Sequence, residues 1–220
     1  MVTETVINLI IWAPAILFSI TLHEWAHGYM AYRCGDHTPL MMGRLTLNPL
    51  PHIDLIWSIV LPVVMLVTSL STIGQPLVFG GAKPVPINPR NFQGSLRSGL
   101  FWVAIAGPLM NFFLGFLCAL ALQGVAWLPA YFQVPLENML VAGIQMNVVL
   151  AVFNLFPLPP LDGGRILTAL LPPPLDGYVA SLERYGFIIL VALMFSGGLS
   201  PLIRPTMVFF LRFYYELGGL

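Results

Sequence analysis

Long apolar runs separated by short polar stretches dominate the 220-residue chain. A bilayer core about 30 Å thick needs about 20 helical residues to cross it. Five runs reach or approach that length, at residues 5–32, 100–127, 136–156, 182–195 and 202–215. A sixth run, 53–70, contains Pro62 and fits either a crossing or a re-entrant hairpin. The pattern predicts an all-α polytopic membrane protein with about five transmembrane helices and one re-entrant or short hairpin segment at 53–71.

The one long connection, residues 72–98, is rich in glycine and proline. Its "LVF" followed by Gly80 and Gly81 predicts a short extended strand near 77–80. No stretch of the chain is long or polar enough to form a separate soluble domain. We therefore expect one membrane domain over residues 1–220.

Composition supports this class and excludes others. Charged residues make up 8% of the chain and hydrophobic ones 58%, whereas soluble domains carry about 25% charged residues. Nine basic and nine acidic residues cancel, so no net field favours a polyanion and we expect no nucleic-acid partner. Residues 1–20 contain no Lys or Arg, so we expect the first run to be mature structure rather than a signal peptide. Two cysteines, Cys34 and Cys118, support neither a disulfide framework nor a thiolate metal site.

Three ionisable residues close the first apolar run in the sequence "HEWAH". His23 and His27 are four residues apart, so on a helix both imidazoles lie on one face and can reach a single ion. With Glu24 they form H-E-x-x-H, in which two histidines bind zinc and the glutamate is the general base. An unpaired charge at the centre of a membrane helix costs about 2.5 to 3.5 kcal/mol. An unpartnered Glu24 would therefore be hard to tolerate there. The alternative to a metal site is a polar helix end at the membrane interface, or a proton relay.

A catalytic zinc needs a third protein ligand and an open position for water. The candidates are His37, His52, Asp36, Asp54, Asp162 and Asp176. Asp162 follows a helix that the prolines of "FPLPP" must end, and irregular backbone at membrane depth is tolerated only where it lines a cavity. The sequence "PPLDG" occurs twice, however, and either aspartate can cap the helix after it. Local chemistry favours Asp162 over Asp176.

Three motifs in order, "HEWAH", "AGPLMN" (106–111) and "NLFPLPPLDGGRI" (154–166), resemble those of the site-2 protease family of intramembrane zinc metalloproteases. "GRLTLNPLPHIDL" (43–55) and "GGAKPVPINP" (80–89) are similar to its compact prokaryotic members, which lack a PDZ or CBS domain. The resemblance implies one Zn²⁺ per chain held by His23, His27 and Asp162, with Glu24 as catalytic base. It also implies that Asn154 donates a hydrogen bond to substrate.

The implied function is a zinc-dependent endopeptidase that hydrolyses peptide bonds within or next to transmembrane helices of substrate membrane proteins. Residues 1–220 would be one intramembrane metalloprotease domain. Further candidates to line the site or orient a zinc ligand are His52, Asn48 and Asn111. The competing hypothesis is a polytopic ion or metal transporter that uses the His/Glu/Asp cluster as an ion path. The sequence favours no oligomeric state.

Membrane topology follows from the shared zinc. Ligands at the ends of the first and third long helices must lie on the same side, which requires an even number of crossings between them. Three apolar segments lie up to that point, so one of them cannot cross, and the segment 53–70, which Pro62 interrupts, is the obvious choice. The basic residues agree with the positive-inside rule: with that segment re-entrant, one side carries Arg33, Arg44, Lys83, Arg90, Arg97, Arg165 and Arg184, with Arg212 near it and Arg204 opposite. We predict a multi-pass protein of a prokaryotic cell membrane, with its N-terminus outside and with the active site and C-terminus toward the cytoplasm.

Overall fold

A computed structural model describes residues 2–72 and 80–220. Over this part of the chain the regular elements are all helical. The α-helices are α1 Val2–Arg33, α2 Thr38–Met41, α3 Leu61–Thr72, α4 Leu96–Val125, α5 Ala130–Asn154, α6 Asp162–Leu170, α7 Leu175–Ser181, α8 Glu183–Phe195 and α9 Leu199–Gly218. Leu50–His52 and Pro89–Asn91 form 3₁₀ turns, and Leu55–Val60 forms a π-helical turn.

All five long apolar runs are helical, with ends that differ by up to six residues from the sequence prediction. The expected strand at 77–80 falls on residues 77–79, which lie outside the described residues. Gly80, which is described, has no strand conformation, and no strand occurs elsewhere in residues 2–72 and 80–220.

Two of the described helices, α4 and α5, are long and apolar enough to cross a membrane. The pair α7 and α8, bent by 63°, would add a third span if it crosses as one unit. Helix α8 alone has 13 residues and is about 20 Å long. These apolar helices fit a membrane protein, and the expected count of about five crossings stays a prediction.

The segment that contains Pro62 changes its winding instead of breaking. The carboxylate of Asp54 accepts the N–H groups of Ile56 and Trp57 at 2.9 Å each and so caps the π-helical turn. Helix α3 then begins at Leu61, so Pro62 occupies a first turn, where a missing N–H is tolerated. The helical stretch from Leu55 to Thr72 is about 27 Å long, close to the thickness of a bilayer core of about 30 Å.

Helices α1, α4 and α5 pack against one another, and α9 lies against α4 and α5. The core that α4, α5 and α9 share consists of Ala119, Leu122, Val125, Ile144, Val148, Val152 and Tyr214. Polar contacts fix α9 in place. The Tyr214 hydroxyl donates to the Phe112 carbonyl at 2.8 Å, and the Gln145 amide donates to the Tyr215 hydroxyl at 2.7 Å.

Hydrogen bonds tie the end of α1 to the start of α4. The buried Asp36 carboxylate accepts the N–H of Asn88 at 2.7 Å and the side-chain amide of Asn91 at 2.8 Å. The Gln93 N–H donates to the Cys34 carbonyl at 2.7 Å. Burial opposes ionisation of Asp36, but the hydrogen bonds outweigh it and hold the pKa of this carboxyl below its usual value. The end of α1 and the start of α4 therefore lie at the same end of the bundle.

Candidate metal centre

Three ligand-type atoms converge where α1, α4 and α6 meet. The Nε2 atoms of His23 and His27 are 3.0 Å apart, and Oδ2 of Asp162 lies 3.3 Å and 3.2 Å from them, respectively. All three residues are buried. The cluster combines two residues one turn apart on α1 with the first residue of α6, which the turn after α5 brings back toward α1.

The hydrogen bonds of the two histidines set their tautomers. Nδ1 of His27 lies 2.7 Å from the Val103 carbonyl, which can only accept, so the proton sits on Nδ1. Nδ1 of His23 lies 2.6 Å from Oδ1 of Asn111 and is protonated for the same reason. In the neutral form each ring then directs a lone pair on Nε2 toward the cluster.

The orientation of Asn111 is itself fixed by its neighbours. Its amide nitrogen donates to the Ser19 carbonyl at 3.1 Å and to Oδ1 of Asn147 at 2.9 Å. The amide nitrogen of Asn147 donates in turn to the Gly143 carbonyl at 2.8 Å. Both asparagines are buried. The Ser19 and Gly143 carbonyls can only accept, so they fix which side of each amide carries the nitrogen and which the oxygen. This chain of bonds ends at His23 and holds its ring.

The donor set fits a zinc ion. Oδ2 of Asp162 is buried and has no hydrogen-bond partner, and it faces two nitrogen lone pairs, so three acceptors meet with no proton between them. Such an arrangement is repulsive without a cation. Two ligand atoms about 2.0 Å from a tetrahedral ion lie about 3.3 Å apart, close to the 3.0 to 3.3 Å separations found here.

Gly107 on α4 makes room for the histidine rings. A Cβ atom at this position would lie 2.6 Å from Cε1 of His23 and closer still to Nε2 of His27. Real Cβ contacts essentially never come below 3.0 Å. Helix α4 can therefore pack on the metal-ligand face of α1 only because residue 107 has no side chain.

Glu24 lies next to the cluster without joining it. The group of residues able to hold one ion consists of His23, His27 and Asp162. The half-buried Glu24 instead accepts the N–H of Val85 on Oε2 at 2.8 Å. Glu24 therefore follows the first candidate ligand in sequence and is not part of the candidate ligand set.

The remaining candidates for the third ligand have other partners. Asp36 ties α1 to α4 and Asp54 caps the π-helical turn, as described above. Asp176 is not the helix cap that the sequence suggested, because α7 begins one residue earlier, at Leu175. Its carboxylate pairs with Arg97 at 2.7 Å. Exposed His37 directs Nδ1 at the Gly35 carbonyl, 3.1 Å away.

The other predicted site residues, Asn154, Asn48 and His52, lie in three different settings. Asn154 ends α5, and one amide proton is donated to the Leu150 carbonyl at 2.9 Å, so its second amide proton remains for another acceptor. Exposed Asn48 accepts the Leu50 N–H at 3.1 Å and stabilises a local turn. Asn48 therefore shows no contact with a proposed zinc ligand. Buried His52 donates from Nε2 to the Thr46 carbonyl at 3.0 Å, and its Nδ1 has no partner.

An apolar cavity of about 630 Å³ borders this region. It lies between residues 12–21 of α1, the turn at His52, and helices α5 and α9. Residues from these four parts of the lining are Ile16, Thr21, His52, Leu150 and Ile203. Thr21 is two residues before His23, so the cavity reaches α1 close to the candidate metal centre.

Comparisons with known proteins agree with this chemistry. The family model described as "Peptidase family M50" matches residues 124–195. A Bacillus subtilis protein named "Putative zinc metalloprotease YwhC" is 39% identical over 197 residues, which cover 87% of this chain and 83% of that protein. The chain belongs to peptidase family M50, the site-2 protease family. It is a zinc metalloendopeptidase.

Two further M50 relatives carry the name "Putative zinc metalloprotease Rip2". The Mycolicibacterium smegmatis protein is 34% identical over 90% of this chain and 71% of its own length. The Mycobacterium tuberculosis protein from strain H37Rv is 30% identical over 92% of this chain and 72% of its own length. No solved structure matches the chain.

Sequence reasoning missed several groups that surround the M50 metal centre. Gly107 lies in the motif "AGPLMN", but the motif does not reveal that its contact is with the histidine rings themselves. The Val103 carbonyl and the Val85 N–H are backbone groups, which no side-chain motif reports. Asn147 carried a signal, since it is an amide in an apolar helix, but its partner Asn111 could be identified only from the packing of α4 on α5.

Proposed function

We propose that the chain is an intramembrane endopeptidase that cuts peptide bonds within or next to transmembrane helices of substrate membrane proteins. In this proposal His23, His27 and Asp162 hold the zinc, and Glu24 is the general base. The observation that carries it is the meeting of three unprotonated ligand atoms in an apolar helix bundle, beside a carboxylate outside the ligand set.

The depth of the cluster supports a site inside the membrane. His27 and His23 precede the end of α1 at Arg33 by six and ten residues, which corresponds to about 9 and 15 Å along the helix. Both lie within an apolar helix that has the length of a membrane span. A substrate helix must unwind locally to expose its carbonyls there, and the apolar cavity beside Thr21 is our candidate for its approach.

The chain's own residues supply the proton transfers and the binding. Bound zinc acts as a Lewis acid that polarises the scissile carbonyl and makes water nucleophilic near pH 7. Glu24 takes the proton from the attacking water and delivers it to the leaving amine nitrogen. Asn154 donates its second amide proton to the substrate carbonyl oxygen, where negative charge develops. Asn111 and the Val103 carbonyl keep His23 and His27 in the tautomers that bind metal through Nε2.

The proposed topology has residues 53–71 re-entrant, the N-terminus outside, and the active site and C-terminus toward the cytoplasm. Support comes from the bonds of Asp36 and Cys34 to residues 88–93, because they tie the end of α1 to the start of α4. The chain between those points therefore makes no net crossing.

Cysteine labelling tests the topology. In a background of Cys34→Ser and Cys118→Ala, single cysteines at Arg33 and Lys83 should react with an impermeant maleimide from the cytoplasmic side. A cysteine at Arg204 should react from the other side and serves as the control. Labelling of the first two from opposite sides would refute the re-entrant assignment.

The decisive test of function is Glu24→Gln. The substitution removes the base but keeps size and polarity, so we expect cleavage of a co-expressed single-span membrane protein to fall by a factor of about 10² to 10⁴ with zinc content unchanged. Glu183→Gln, at an exposed carboxylate on α8, is the matched control and should cleave normally. Wild-type cleavage by Glu24→Gln would refute the role of Glu24 as general base.

A further inference from the structure

Residues 83–89, "KPVPINP", form a proline-rich strap that contacts α1 beside the metal centre. Prolines at 84, 86 and 89 leave backbone N–H groups only on Lys83, Val85, Ile87 and Asn88. Three of these four donate to groups outside the strap. Lys83 donates to the His52 carbonyl at 2.9 Å, Val85 to Oε2 of Glu24 at 2.8 Å, and Asn88 to Oδ2 of Asp36 at 2.7 Å.

We propose that the Val85 N–H is a positioning group for catalysis, which holds Oε2 of Glu24 so that Oε1 faces the substrate water. The inference rests on the proposed role of Glu24 as general base. A glutamate side chain has three rotatable bonds, and a base must stand within about 2.6 to 3.2 Å of the proton it takes. A charge-assisted hydrogen bond to one oxygen orients the carboxylate and leaves the other oxygen for proton transfer.

The strap is built to keep this N–H in place. A residue before proline is restricted to extended backbone, and Lys83 and Val85 both precede prolines. The bonds of Lys83 and Asn88 anchor the strap on either side of Val85. The Val85 side chain is buried and packs on Gly28, one turn beyond Glu24, where an added Cβ would lie 3.1 Å from Cγ1 of Val85. The strap and α1 therefore approach closely at the glutamate.

The same pattern argues against a different role for the strap, that of a strand to which substrate pairs. A β-ladder needs donors at alternate residues along one edge, and proline cannot donate. Pro84 and Pro86 remove donors from one edge of the strap, and on the other edge the Lys83 N–H is already bonded to the His52 carbonyl. The Val85 N–H is already bonded to the enzyme's own carboxylate.

The test replaces a single hydrogen-bond donor. Incorporation of α-hydroxyvaline at position 85 exchanges the N–H for an ester oxygen and retains the side chain. We expect kcat to fall about tenfold or more, with KM and zinc content within twofold of wild type. The same ester exchange at Ile87, whose N–H is not among the three that donate outside the strap, is the matched control and should keep the wild-type kcat.

Other results would contradict the proposed role of the Val85 N–H. An unchanged kcat in the ester variant at Val85, or an equal loss in the Ile87 control, would overturn the proposal. Loss of zinc in the ester variant would also contradict it, because the strap would then support the fold of the site rather than the base. Glu24→Gln is measured in parallel: if it is inactive while the ester variant cleaves normally, only this inference fails.

Discussion

Gly107→Ala should release zinc although it alters no ligand. The added methyl group would lie 2.6 Å from Cε1 of His23 and closer to Nε2 of His27, whereas carbon atoms in contact are about 3.5 to 4.0 Å apart. Helix α4 or the rings must therefore move by about 1 Å. Zinc ligand distances tolerate only about 0.2 Å.

Gly107→Ala should affect zinc affinity more than folding stability. Overpacking of a core by one methyl group costs about 1 to 3 kcal/mol, while alanine favours the helix over glycine by about 1 kcal/mol. The bundle should therefore remain folded. Loss of support for a single metal ligand lowers affinity by about 10- to 100-fold, and two ligands are displaced here, so we expect zinc affinity to fall by at least that factor.

Metal competition measures this directly. The purified protein in detergent is titrated with a chelator of known affinity, and retained zinc is determined by elemental analysis alongside cleavage of a membrane substrate. Gly124→Ala on the same helix is the matched control, because nothing lies within 4 Å of an added Cβ there. Gly107→Ala with the zinc affinity of the control would refute the close packing of α4 on the histidines.

Two other predictions concern the metal centre. Asp162→Ala should strip zinc, whereas Asp176→Ala should retain it because that carboxylate pairs with Arg97 at the start of α4; metal analysis that gave the reverse would show that the other "PPLDG" copy supplies the ligand. Asn147→Leu should lower zinc affinity about tenfold or more by freeing Asn111 to rotate, and chelator titration that returned the wild-type value would mean that His23 needs no such support.

The sequence predicted the parts of the fold that depend on local pattern. Apolar length located the helices, and the prolines of "FPLPP" correctly ended α5 at Asn154. Helix ends were less accurate because they depend on groups that periodicity does not report. The hydroxyl of Ser95, for example, caps α4, which begins four residues before the apolar run. For Pro62 the sequence could not distinguish a break from a change of winding, since the cap at Asp54 and the position of Pro62 in the first turn of α3 decide it.

For the site, the sequence revealed the side-chain motifs but not the contacts that depend on how loops return to them. The i, i+4 spacing of His23 and His27 placed both on one face, and the proline-rich turn indicated Asp162. The roles of Asp36 and Asn48 could not be foreseen, because each depends on which loop returns to it. Asp36 meets residues 88–91 and Asn48 meets Leu50. Contacts of this kind follow from the path of the chain rather than from residue type.

The distance in sequence between the proposed ligands affects when the enzyme can become active. Residues 27 and 162 are 135 positions apart, so a ribosome that adds about 5 to 20 residues per second needs roughly 7 to 27 seconds to pass from one to the other. During that time α1 carries two histidines and a glutamate without the third ligand. With the proposed ligand set, a nascent chain gains its complete metal site only after α6 has been made.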